Sequence, residues 1–133
     1  MLAMVRYVAV FFIGALLGSQ GFAVISAQSS RNTVRVMQRD LGGWCDGKEV
    51  IVDISEQGPG PGARHYHHAH SFTLMLEGSR DVIADGEAPH TIKAGEIHYE
   101  TPMMVNATNN TSPVKVVTFR IQEKGKPETV TVP

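Results

Sequence analysis

The stretch RHYHHAHSFTLMLEG, residues 64–78, decides how this chain folds. Four of the six histidines fall between His65 and His70, just before an apolar segment that ends at Glu77-Gly78. An extended chain turns successive side chains to opposite faces, so His65 and His67 project together and His68 projects away. His70 follows His68 if the strand stays regular, and joins the pair if a loop breaks the parity between residues 67 and 71. An exposed histidine is ordinarily just solvated. An H-x-H pair between a Gly/Pro turn (Pro61-Gly62) and a buried strand is more specific, because two imidazoles aimed into a small barrel are half of a metal site.

Outward from this stretch the chain reads as short runs of β-branched and aromatic residues punctuated by Gly and Pro. Strands are expected at 33–38, 49–55, 72–77, 80–85, 90–93, 96–100 and 114–121, the last the clearest. Asp85-Gly86 is a strong hairpin dipeptide, and Ala94-Gly95 marks another turn. In the second strand Val50, Val52 and Ile54 share one face, with Ile51, Asp53 and Ser55 on the other. Phe72, Leu74 and Leu76 share a face of the third, and are expected to line the interior with strand 114–121. No helical period and no internal repeat is present. Many short strands separated by turns imply an all-β antiparallel sandwich or barrel.

The first 27 residues read differently. A short basic start ending at Arg6, the apolar run YVAVFFIGALLG (7–18) and small residues at Ala23 and Ala27 form a secretory signal pattern, with cleavage expected near 23 or 27. The rival reading is an uncleaved anchor, since 7–27 approaches the roughly 20 residues that span a bilayer; Ser19, Gln20 and Gly21 interrupt it. The expected organisation is a signal peptide over 1–27 and one domain over 28–133, in an exported, periplasmic or secreted protein of bacterial type. A membrane is expected as partner only through an uncleaved N-terminal segment. The charge balance is 12 basic against 13 acidic side chains with no basic block, which gives no footprint for nucleic acid. Cys45 is the only cysteine. Stability therefore comes from packing or a bound ion and not from an internal disulfide.

From about Val34 to Pro133 the chain resembles a small single-domain cupin. The first cupin motif runs Gly, H-x-H, three or four residues, Glu, six residues, Gly. Here His65-Tyr66-His67 supplies H-x-H, Ser71 takes the glutamate slot, and Gly78 closes it. In the second motif Gly95 opens, Pro102 sits one place off, Met103 takes a glycine slot, Asn106 takes the last histidine slot, and Asn110 matches the final asparagine. The resemblance implies a double-sheet jelly-roll barrel and a divalent metal (Fe, Mn, Ni or Zn) held from its interior. His65 and His67 match the ligand pattern. Ser71 and Asn106 depart from it, which removes the site's negative charge. Asn106 offers a carbonyl oxygen, a weaker ligand than imidazole. His70, beside the glutamate slot, is the neighbour expected to complete a three-histidine set. His98, alternating with Glu96 and Glu100, is expected on a solvated face, and Asn109 and Asn110 in a turn.

Two functions follow. One is an exported cupin that binds a divalent metal and a small organic ligand in its barrel, the metal acting as Lewis acid or activating water or dioxygen. The alternative is a non-catalytic binding module with weak or no metal. No paired carboxylates or activated nucleophile stand near the histidines in the sequence, so no reaction is named. A barrel of this kind also allows a homodimer through its edge strands.

Overall fold

The computed structural model describes residues 31–133. The expected signal segment lies outside the described residues. In chain order the strands are β1 (Arg31–Asp40), β2 (Lys48–Gln57), β3 (Gly60–Pro61), β4 (His65–Tyr66), β5 (Ala69–Glu77) and β6 (Ser79–Ala84). They continue as β7 (His90–Lys93), β8 (Ile97–Glu100), β9 (Asn106–Asn110), β10 (Val114–Glu123) and β11 (Val130–Thr131). A 3-10 turn at Gly42–Trp44 is the only helical element among the described residues, and no helix there is long and apolar enough to cross a membrane.

The strands form two antiparallel sheets, one ordered β1-β2-β10-β5-β8 and the other β11-β4-β9-β6-β7, with β3 also on β9. Neighbours such as β2 and β10, far apart in sequence, are what a jelly roll requires. The apolar core is small: Met75, Val82, Ala84, Ile92, Val114 and Val116, with Met104 packed against it. Each large member of this group contributes about 1.5–3 kcal/mol by leaving water.

The first sheet is inverted relative to an ordinary sandwich. Its inner face carries Asp53, Ser55, Ser71, Thr73 and Thr118, all buried. Its outer face carries Val34, Phe72, Leu76, Ile97 and Phe119, all exposed. The expectation that Phe72, Leu74 and Leu76 line the interior is therefore corrected. The ladder sets Ser71 opposite both Arg120 and Glu100 and Thr73 opposite Thr118. Strand parity then turns the three apolar side chains out. Hydrophobicity alone pointed to the wrong face because the interior here is built for polar contacts. Strand 114–121 does line the interior, through Val116, Thr118 and Arg120.

Two glycine slots of the cupin pattern have physical causes. Gly78, between β5 and β6, has φ +81°, and a Cβ there would lie 2.2 Å from the Pro113 carbonyl oxygen. Met103 occupies the other slot and keeps the left-handed backbone, φ 67°, a conformation that costs a side-chain-bearing residue about 1–2 kcal/mol. Its N–H donates to the His67 carbonyl at 2.8 Å, so this strained loop is pinned to the histidine segment. The segment Asn106–Asn110, expected to hold a turn at Asn109 and Asn110, is instead strand β9, paired with β4, β3 and β6.

Candidate ligand and metal site

A cavity of about 430 Å³ lies between the sheets. His65 reaches it from β4, and His67 from the link between β4 and β5. The two rings meet edge-on with centroids 4.9 Å apart, so the structure brings this predicted pair together. His65 Nδ1 lies 2.8 Å from the Ala63 carbonyl oxygen, and His67 Nδ1 lies 2.5 Å from that of Glu128. A carbonyl can only accept, so each Nδ1 carries the proton and donates it. In the neutral rings both Nε2 atoms are then left with a free lone pair, the state a metal ligand or general base requires.

The carboxylate missing from Ser71 is supplied by its neighbour across the ladder. Glu100 pairs directly with Ser71 and is 7% exposed. Its Oε2 lies 3.4 Å from His67 Nε2, and its Oε1 lies 3.4 Å from His98 Nε2. Oε2 has no hydrogen-bond partner. Burial pushes the His67 pKa down, against the opposing pull of the Glu128 carbonyl and the Glu100 charge, and the net direction is down. Burial would raise the Glu100 pKa, but His98 and the nearby histidine charges outweigh it and hold the carboxyl below the usual range. With its Nδ1 proton committed to the Glu128 carbonyl, His67 thus turns Nε2 toward a Glu100 oxygen that has no hydrogen-bond partner. Two ligands roughly 2.0–2.2 Å from one cation and separated by a tetrahedral angle stand about 3.4 Å apart.

The other expected residues fall out as follows. His98 is buried, not solvated, because β8 turns His98 and Glu100 inward and Ile97 and Tyr99 outward. The alternation in EIHYE was legible; the side was misjudged because charge was read as exposure. His70 lies on the outer face of β5 and does not join His65 and His67. Its ring stacks parallel to Tyr99, and Nδ1 is 2.7 Å from the Tyr99 hydroxyl. The regular parity of β5 through Ala69, Ser71 and Thr73 puts it there. Asn106 is inward, paired with His65 and 1% exposed, and both its side-chain polar atoms lack a partner. Among the described residues no three His, Cys, Asp or Glu side chains are placed to hold a metal ion together. The donors fit a cation in chemistry, as an open pair of His67 and Glu100 with His65 beside it.

Similar folds are found among solved structures. A cupin superfamily protein from Desulfitobacterium hafniense superposes with a TM-score of 0.60 at 10% identity, covering 71% of this chain and 79% of that one. An uncharacterised protein with a double-stranded β-helix domain from Klebsiella pneumoniae gives 0.53 at 18% identity, covering 81% and 87%. The chain has the cupin fold. A DMSP lyase from Ruegeria pomeroyi also matches this chain, with a TM-score of 0.63 at 14% identity, over 87% of this chain and 57% of that one. No family model and no curated protein matches the sequence. At these identities the likeness shows the fold alone, and what the protein does must be argued from its own site.

Proposed function

We propose that this is an exported cupin whose interior binds a divalent cation, Fe, Mn, Ni or Zn, together with a small organic ligand. One observation carries the reading: the buried, unpartnered Glu100 Oε2 facing His67 Nε2 at 3.4 Å. Two buried acceptors held that close are unfavourable unless a proton or cation lies between them. His67 and Glu100 would hold the ion as an open pair, with His65 beside them and the Asn106 carbonyl as a weak further donor. The ion would supply Lewis acidity. The chain's own part is to fix both Nδ1–H groups on backbone carbonyls and to exclude water from His67 and Glu100. His70 is not in the proposed set, because its ring is committed to Tyr99 outside the barrel.

Elemental analysis of the purified, dialysed protein tests this. About one divalent ion per chain is expected, falling at least tenfold in His67→Ala and in Glu100→Gln and staying unchanged in His70→Ala. Metal retained in Glu100→Gln, or lost in His70→Ala, would overturn the ligand assignment. Protein that takes up no metal, with its polar cavity intact, would leave the binding module as the function.

The inverted first sheet supports a homodimer through that face in place of the edge strands. Phe72 stacks on Tyr99 with centroids 4.9 Å apart and lies 6.1 Å from Phe119. Val34 and Ile97 are more than half exposed on the same face. A second copy presenting the same apolar patch is self-complementary about a two-fold axis. Phe119→Glu should weaken self-association about 30-fold or more in sedimentation velocity. A wild-type protein that stays monomeric at all concentrations would contradict the proposal.

A further inference from the structure

The cavity that holds the histidines also holds three guanidinium groups, on Arg31, Arg80 and Arg120. Their partners are unusual. Arg80 is 8% exposed, yet it contacts only neutral amides: Nε donates to Asn110 Oδ1 at 2.7 Å and Nη2 to Gln57 Oε1 at 3.1 Å. Arg31 donates to the same Gln57 oxygen at 3.4 Å. Two cations therefore converge on one uncharged acceptor. Arg120 donates from Nη1 to Asp53 at 3.0 Å, but its buried Nε has no partner.

The carboxylates nearby are already engaged. Asp53 is shared between Arg120 and Arg35, and Glu128 is held by Arg35. Glu100 faces the histidines. That leaves the exposed Arg31 and the buried Arg80 with no salt-bridged carboxylate among the described residues, and for Arg80 a buried charge without a direct ionic partner is costly. Burial lowers the pKa of each guanidinium group; the charge of Arg120 lowers that of Arg31 further, and the charge of Arg31 lowers that of Arg80 further against a smaller opposing pull from Glu100. Such an arrangement is stabilised by an anion with two oxygens that can replace the Gln57 contact, and the planar fork of arginine suits a carboxylate. The remaining walls carry hydroxyls, including Thr73, Thr108 and Thr118, and suit a polar body more than an alkyl one.

We propose that the organic ligand of this cavity is a small organic acid whose carboxylate is held between Arg31 and Arg80. This rests on the reading of the interior as a ligand site and names the class of ligand it takes. The acid's other end lies toward His65, His67 and Glu100, in the same cavity.

The test uses calorimetric titration of the full chain, dialysed against chelator. The probes are a series of acids from acetate to adipate plus tartrate, with succinamide as the uncharged analogue and inorganic phosphate as the competing anion. At least one acid is expected to bind, with affinity falling about tenfold or more in Arg31→Ala and in Arg80→Gln. Binding should also weaken as salt is raised. Succinamide should give no binding. Arg31 is exposed, so Arg31→Ala carries the test if Arg80→Gln does not fold. Four results would each overturn the proposal: no acid binding, affinity unchanged in Arg31→Ala, succinamide binding as tightly as succinate, or phosphate binding more tightly than every acid. Metal content is measured on matched samples that have not met chelator. Acid binding that survives in His67→Ala while metal is lost supports the arginine site and separates it from the metal site. Metal uptake without acid binding sinks this proposal and leaves the metal reading standing.

Discussion

Gly78→Ala should lose at least about 3 kcal/mol of stability or fail to fold. Two penalties coincide at this position. The backbone sits at φ +81°, where an L side chain is strained by about 1–2 kcal/mol. In addition the new Cβ would meet a backbone carbonyl, Pro113 O, at 2.2 Å, and the Ser112 hydroxyl at 2.9 Å. The hydroxyl can rotate away. The carbonyl cannot, because Val114 follows it directly into β10, the strand that joins β2 to β5. Relieving the clash means shifting the start of β10 against β5, and with it the buried Val114 and Val116. Gly86→Ala is the matched control: it has nearly the same φ, +86°, and nothing within 4 Å of its Cβ. It should cost only the conformational part, about 1–2 kcal/mol. Urea denaturation of both variants measures the difference, and equal losses would mean that the close approach at Gly78 is absent.

Asp53→Ala should cost about 3 kcal/mol, read as a lowered urea midpoint with unchanged slope. Asp53 is 4% exposed and bridges two cations, accepting from Arg35 Nε at 2.6 Å and from Arg120 Nη1 at 3.0 Å. Removing it leaves Arg120 in the interior with no carboxylate partner and with its Nε already unpaired. The side chain of Arg35 is 37% exposed, so it turns to water at modest cost; the expected loss is therefore at the low end for a broken buried pair. The double variant Asp53→Ala/Arg120→Met should recover part of the loss, because the stranded charge goes with its partner. No recovery would mean that Asp53 acts by packing and not by charge.

Much of this architecture was legible in the residues, and most of the exceptions share a cause. The turns at Asp85-Gly86 and Ala94-Gly95 lie where their dipeptides placed them, with both glycines at positive φ. His65 and His67 share the cavity, as alternation required. Apart from His70, which the regular parity of β5 turns outward, the failures come from a polar interior. Strand β9, Asn-Ala-Thr-Asn-Asn, has no apolar face and read as a turn. It is a strand because Asn110 is hydrogen-bonded from inside by Arg80 and donates to the Gly58 carbonyl. Phe72, Leu74 and Leu76 read as lining and are the outer face. Glu100 and His98 read as solvated and are buried. Period-two alternation divides a strand into faces but does not say which face is inside, and the usual rule that apolar faces inward fails where the barrel encloses a polar cavity. Glu100 could have been found only through the pairing of β5 with β8, which sets it beside the serine that stands in the glutamate slot.

Anomalous diffraction from crystals grown with zinc or manganese tests the central claim most directly. The expected result is one peak inside the barrel, within bonding distance of His67 Nε2 and Glu100 Oε2, with His70 still stacked on Tyr99 outside. A peak on the outer face at His68 or His70, or a fully ordered His67–Glu100 pair with no peak between them at saturating metal, would contradict it.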